Sequence, residues 1–250
     1  MFTKIKTPRE IKAMREGGRM LALVLEYLKK ETIAGRTPKD MSSLAAQELE
    51  RLGGKPAFKG FQGYPDIICI SVNNQVQHAI PSNKPFKEGD VVNYDFGVIH
   101  GGMVTDGGIT VGVGKISKDT ERLIRGTKTA LYKGIDVVKD GVRVGDISNA
   151  IEDELRKNHL GIVRSLVGHG VGHQLHEEPE IPNYGHKGTG QVLKAGMTVA
   201  IEPITTLGGH AIKDDQDDGW TLWTEDGSWS AQFEHTILVT DTGAEILTAV

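Results

Sequence analysis

The sequence predicts an α/β chain in which capped helices alternate with β structure, folded as one unit whose halves repeat each other. Three observations predict this. Two segments carry helix-start signatures, glycine-rich and β-branched runs read as strands, and the same order of elements occurs twice along the chain.

Thr7-Pro8-Arg9-Glu10 is a capping box with proline at the first helical position. Behind it Ile11, Met14, Leu21, Ala22, Leu25 and Leu28 recur on one helical face. A second capped helix starts at Thr37-Pro38-Lys39-Asp40, runs through Leu44, Ala45 and Leu49, and stops at Gly53-Gly54. A strand is expected over 67–72, a glycine-rich strand pair over 90–114, and helices over 119–139 and 146–157. From 197 onward the pattern is β, in MTVAIEPITTL, GWTLWT and QFEHTILVT with turn signals between. A shift of 106 residues aligns Gly35 with Gly141, Asp40 with Asp146, Ser42 with Ser148, Glu48 with Glu154 and Leu49 with Leu155. Each of these capped helices follows a longer helix, which points to an internal duplication. No Pro/Ser-rich linker separates the halves, so 1–250 reads as a single domain with halves at roughly 7–114 and 119–250.

Composition narrows the function. Glycine supplies 32 of 250 residues, about 13% against a usual ~7%, without a Gly-X-Y period. That excludes collagen, and 25% charged with 38% hydrophobic residues excludes a disordered or membrane-embedded chain. One cysteine, Cys69, permits no internal disulfide and no multi-cysteine zinc site, so a reducing compartment is expected. A net charge of −4 argues against a dedicated DNA or anionic-membrane binder. The start lacks the apolar run of a secretory signal, and the chain reads as soluble and cytoplasmic.

The segment VVNYDFGVIHGGMVTDGGITVGVG holds the most informative pattern. If His100-Gly101 is the turn, Asp95 and Asp106 face each other across the ribbon; if it is Gly101-Gly102, they are diagonal neighbours on one face, ~7–8 Å apart or less. Two like charges so placed are solvated, protonated or bridged by a cation. A lone pair is ordinarily a solvated edge. Here three more potential ligands sit in apolar or glycine-rich stretches: His169 in LVGHGVGH, Glu202 in MTVAIEPI and Glu234 in QFEHTILVT. Two Asp, two Glu and one His suit a pair of Mn²⁺, Fe²⁺, Co²⁺ or Zn²⁺ ions better than all-oxygen Ca²⁺ or Mg²⁺. Two such ions acidify a water between them, so the expected reaction class is metal-assisted hydrolysis. His78 in NNQVQHAIP and His176 at the head of HEEP fit substrate-facing roles, as donors to an oxyanion or guides for a leaving amine.

GYPDIICISVNNQVQHAIP, VVNYDFGVIHGGMVTDGG, GHGVGHQLHEEP, MTVAIEPI and DGSWSAQFEHTILVT occur in the order and spacing of methionine aminopeptidases, and the chain resembles the short type I form from about Thr7 onward. The resemblance implies the pita-bread fold, an α/β (α+β) arrangement of two pseudo-two-fold halves with a curved antiparallel sheet covered by helices on its outer face. It implies that Asp95 and Asp106 bind metal, Asp106 bridging both ions, that His169 and Glu202 hold one ion, and that Glu234 bridges. Glu202 would be the proton shuttle, His176 would contact the scissile carbonyl oxygen, and His78 would lie near the second residue's amide. Tyr64, Cys69 and Trp220 correspond to positions lining the methionine pocket, with Phe61 where a tyrosine is usual. The implied partners are N-terminal Met peptides and nascent chains, with a transient ribosome contact, and the implied state is a monomer preferring small second residues.

Gln77 and Ala79 stand where CHG is usual, Asn74 replaces a common Glu, and Leu175 precedes HEEP where an aromatic is frequent. None is a ligand position; they bear on substrate preference. The stretch DDQDDGWTLWTE nearly fits an EF-hand loop, but its flanks are not helical, so it reads as an acidic turn before a hairpin. Gly112-Val113-Gly114-Lys115 lacks the rest of a P-loop. The rivals are an Xaa-Pro peptidase of the same fold, whose members usually carry an added N-terminal domain, and a non-catalytic peptide-binding relative, which should show eroded ligands.

Overall fold

The computed structural model describes residues 5–250. Helix α1 (Pro8–Glu31) starts at its capping box: Glu10 Oε2 accepts from Thr7 N at 2.7 Å and Thr7 Oγ1 accepts from Glu10 N at 3.3 Å. Helix α2 (Pro38–Leu52) repeats the device with Thr37 and Asp40, and ends on Gly53 in the left-handed conformation. Helices α3 (Lys118–Ile135) and α4 (Val144–Lys157) follow the strand pair. The sequence pattern carried α3 on to 139, but the helix ends at Ile135. Val138 is buried in a turn in which its N–H donates to Ile135 O at 3.0 Å, so its apolarity reflects the core and not the helix. α4 opens two residues before the expected 146 because Asp146 is its cap partner, accepting from Arg143 N at 3.1 Å. The strand expected over 67–72 is Cys69–Val72, since Asp66 Oδ1 accepts from Ile67 N and turns the chain there.

One nine-stranded antiparallel sheet organises the molecule. Strand Val91–His100 pairs with Met103–Gly112 along its whole length and with Cys69–Val72 on its other side. Met103–Gly112 then pairs with Glu234–Val239, which pairs with Thr198–Ile201, which pairs with Gly168–Gly170, with Glu177–Ile181 beyond. MTVAIEPITTL divides at Glu202-Pro203 into Thr198–Ile201 and Ile204–Thr206, and these belong to different sheets. The acidic stretch turned out to be the turn of a hairpin, Ile212–Asp214 with Leu222–Thr224, rather than a segment ahead of one.

Alternation along the strands separates two faces. Val92, Tyr94, Phe96 and Val98 pack with Leu21, Leu25 and Leu28 of α1 and Met41, Ala45 and Leu49 of α2. Val199, Ile201, Ile237 and Val239 pack with Leu123, Leu131, Ile147 and Ile151 of α3 and α4. Each helix pair thus covers its own stretch of the same face, leaving Asn93, Asp95 and Gly97 turned to the other. α2 and α4 begin 106 residues apart, each after a glycine with positive φ, Gly35 at 91° and Gly141 at 83°. Among the described residues no helix is long and apolar enough to cross a membrane.

Candidate metal centre

Gly101 and Gly102 adopt φ of 57° and 82° and close the ribbon as a two-residue turn, with His100 opposite Met103. Of the two registers open to the sequence, this is the second. Asp95 therefore faces Gly108, and Asp106 faces Gly97, so the carboxylates are diagonal neighbours on one face. The next strand puts Glu234 on the other side of Gly108. His235 is opposite Ile201, which brings Glu202, one residue on, level with Glu234. Asp95, Gly108, Glu234 and Glu202 thus form one row across four chain segments. Two residues along, Thr236 and His169 flank Ala200, and Thr236 Oγ1 accepts from Asp106 N at 2.9 Å. His169 and Asp106 belong to this second row, and all five candidate ligands share the face turned from the helices.

His169 Nε2 lies 3.5 Å from Glu202 Oε1 and 3.9 Å from Asp106 Oδ2. One donor atom each from Asp106, His169 and Glu234 lies within 4.8 Å of the others. His169 Nδ1 is 2.9 Å from Gly170 O; with that nitrogen donating to the carbonyl, Nε2 turns a lone pair to the carboxylates. Burial pushes the Asp106 carboxyl up to about 7. Burial, and then the neighbouring carboxylates, hold Asp95, Glu202 and Glu234 well above the usual range. Burial, with His176 beside it, takes His169 down to about 3, which keeps it neutral. Four carboxyl groups with a neutral imidazole and no Lys or Arg among the described residues lining the site fit bound cations. The test lies in the orphaned oxygens: Asp95 Oδ1 and Glu234 Oε1 are buried and make no hydrogen bond. A divalent ion would satisfy both, and the absence of thiolate keeps the set to oxygen and imidazole donors.

These five residues line one wall of a cavity of about 690 Å³. Phe61, Tyr64, Cys69, Trp220, His78 and His176 line the same cavity, Cys69 being the cross-strand partner of Asp95. The structure thus brings together all eleven residues singled out from the sequence. Tyr64 meets Trp220 edge to face at 5.2 Å and donates to Ala79 O at 3.0 Å, which fixes the wall. Cys69 is buried opposite Asp95, and burial, then that carboxylate, raise its thiol well above the ordinary value, as an inert thiol requires. His176 meets His169 edge to face at 4.4 Å and Phe61 at 5.3 Å. Burial lowers the pKa of both His78 and His176, so both are neutral near pH 7.

Sequence reasoning missed the groups that hold the candidate ligands. Gln232 Nε2 donates to Glu234 Oε2 at 2.9 Å, and Gln232 Oε1 accepts from Asn93 Nδ2 at 2.9 Å. Thr110 Oγ1 donates to Gln232 O at 2.6 Å. The Gln232 amide fills the space over Gly108 that a side chain would occupy. The available signal was positional for Asn93, which is two residues before Asp95 in one strand and so shares its face. Gln232 ends a strand of the small sheet just before Glu234 opens one of the large sheet, and only the fold brings its amide to that carboxylate.

A buried Asp/His/Glu cluster on a helix-backed antiparallel sheet is the site of a metallohydrolase, and the comparisons agree. Residues 12–241 match the model of metallopeptidase family M24. Methionine aminopeptidase 1 of Bacillus subtilis is 43% identical over 245 residues, covering 98% of each chain. The crystal structure of methionine aminopeptidase from Thermotoga maritima matches with a TM-score of 0.98 at 44% identity, covering 100% of both chains. The prolidase from Pyrococcus furiosus shares the fold alone, with a TM-score of 0.78 at 21% identity over 98% of this chain and 65% of that one. The chain belongs to metallopeptidase family M24, and within it to the methionine aminopeptidases. The pita-bread fold follows, as does the class of enzyme: an aminopeptidase hydrolase that uses divalent metal.

Proposed function

We propose that this chain hydrolyses the bond after an N-terminal methionine in peptides and nascent chains, favouring small second residues. The observation that carries the reading is one cavity lined both by the five metal-ligand side chains and by the largely apolar group Phe61, Tyr64, Cys69 and Trp220. A thioether suits such a slot, being apolar and polarizable. Asp95, Asp106, His169, Glu202 and Glu234 would hold two divalent ions, whose four positive charges offset the four carboxylates. Cobalt, manganese, iron and zinc all suit this donor set. When bound, such ions supply Lewis acidity and a water acidified toward neutrality.

The chain's own residues supply the rest. Glu202 takes a proton from the attacking water and returns it to the leaving amine, a role suited to a carboxyl whose proton affinity burial has raised. As the new C–O bond forms and the C–N bond breaks, His176 donates to the oxygen of the scissile carbonyl. His78 orients the amide of the second residue. Residues 7–114 and 119–250 act as duplicated halves of one catalytic domain, with the site between them. We place the enzyme in the cytoplasm as a monomer that meets nascent chains in transient contact with the ribosome.

The test is peptide cleavage by purified protein loaded in turn with Co²⁺, Mn²⁺, Fe²⁺ and Zn²⁺. Release of methionine from Met-Ala-Ser, with Xaa-Pro peptides left intact, is the expected result. Cleavage of Xaa-Pro peptides alone, or of neither substrate with any metal, overturns it.

A further inference from the structure

Lys6 is a lysine with a side chain of zero exposure, an uncommon state for this residue unless it is paired. Its Nζ lies 2.8 Å from Glu177 Oε2. Glu177 follows His176 directly, and its other oxygen accepts from His173 N at 2.6 Å and Gln174 N at 3.0 Å. One carboxylate therefore closes the loop 173–177 on itself and ties it to the segment ahead of α1. That segment is itself anchored, since Lys6 N donates to Gly196 O at 2.8 Å. A second fastening runs in parallel. Glu10, whose Oε2 completes the α1 capping box, presents Oε1 to His173 Nε2 at 2.8 Å. Beneath the loop Leu175 packs with Met14 of α1, Met103 and Val171.

The loop so fastened carries His176, which reaches into the cavity against His169 and Phe61. Among the described residues the partners of its own ring are the rings of His169 and Phe61, which make no hydrogen bond to it, and its position follows from the backbone. We propose that Lys6 and Glu177 are positioning residues, a buried ion pair that straps the 173–177 loop so that His176 is held where the scissile carbonyl oxygen develops charge. This inference rests on the functional reading given above for His176. A loop displaced by an ångström loses this donor's alignment without disturbing the metal ligands, which sit on the sheet.

The experiment compares Lys6→Met and Glu177→Gln with the wild type on Met-Ala-Ser, alone and in a His176→Ala background. Backbone amide exchange at 173–177 is followed in parallel. Each single variant is expected to lose kcat by about 10–100-fold with KM within about twofold. The Mn²⁺-induced shift in melting temperature should be unchanged. In the His176→Ala background the same substitutions should cost little further, because both act through one side chain. Lys6→Arg, which keeps the charge, should recover most of the rate. Amide exchange at His173 and Gln174 should accelerate in Lys6→Met and Glu177→Gln whether or not the protein turns over peptide. Unchanged exchange overturns the strap. Faster exchange with unchanged kcat overturns the positioning role. Faster exchange in a protein whose wild type releases no methionine overturns the functional reading and leaves the strap standing.

Discussion

Asp95 and Glu234 each stand directly opposite Gly108, one on either side of it in the sheet. The residue between the two carboxylates has no side chain, and the Gln232 amide occupies that space with its Nε2 on Glu234. Gly108 is therefore the seat of a donor that orients a candidate ligand. Gly108→Ala is expected to push the amide off Glu234, at the about 1–3 kcal/mol that overpacking a tight site costs. Urea unfolding of the metal-free variant checks the loss, and Mn²⁺ titration should show metal binding weakened about tenfold or more. Wild-type behaviour in both assays contradicts the placement.

Asp106 has a carboxyl raised by burial among Asp95, Glu202 and Glu234. Asp106→Asn removes one of four crowded acids while keeping volume, so the metal-free protein should melt higher than the wild type. The same change should weaken metal binding by at least about 100-fold, beyond what loss of a supporting residue costs. Opposite signs in the two measurements are the signature of a ligand. A lower melting temperature without metal would make Asp106 a structural residue.

The metal-free protein should lose stability as pH rises past neutrality. The Asp106 carboxyl is at about 7, and Asp95, Glu202 and Glu234 lie well above the usual carboxylate range. Folded values above unfolded ones mean that their contribution is full at low pH and is lost as pH rises through the folded values. His169, at about 3, and His235, at about 4, act oppositely, their contribution being lost as pH falls below the ordinary imidazole value. Above about pH 6.5 the imidazoles add no slope. In chelator, the free energy of unfolding from urea titrations should fall as pH rises above about 6.5, by up to ~1.4 kcal/mol per pH unit for each proton released. Saturating Mn²⁺ should flatten that fall. A flat curve in chelator contradicts the raised carboxyl groups.

What the sequence made legible was local. The capping boxes at Thr7 and Thr37 depend on neighbours a few residues away and stand as read, and the glycines at 101 and 102 mark a reversal whose turn the sequence leaves open between two positions. The five candidate ligands were visible because a charge in an apolar run is out of place. Their register was not, because a two-residue turn can slip by one and only long-range pairing decides which. Glu234 meets Gly108 across 126 residues, Asn93 meets Gln232 across 139, and Lys6 meets Glu177 across 171. No periodicity reports such contacts. The end of α3 was misjudged for a related reason, since Val138 is apolar to fill a turn in the core.

Glu202 sits just beyond strand Thr198–Ile201, where the chain leaves the large sheet for the small one, and its backbone carbonyl accepts from the buried Asn183 Nδ2 at 3.0 Å. The side chain is thus placed by backbone on both sides, level with Glu234 and 3.5 Å from His169 Nε2. Glu202→Gln keeps this frame, retains one oxygen donor and removes the capacity to carry a proton. Metal should still raise the melting temperature of the variant, while kcat on Met-Ala-Ser falls by about 10²–10⁴, the usual worth of a general acid–base. KM should change little, because the apolar slot is untouched. The measurement pairs steady-state kinetics with Mn²⁺ titration of the same preparation. A rate near the wild type's, with metal bound, would assign the proton transfer to another group; loss of both together would make Glu202 a ligand alone.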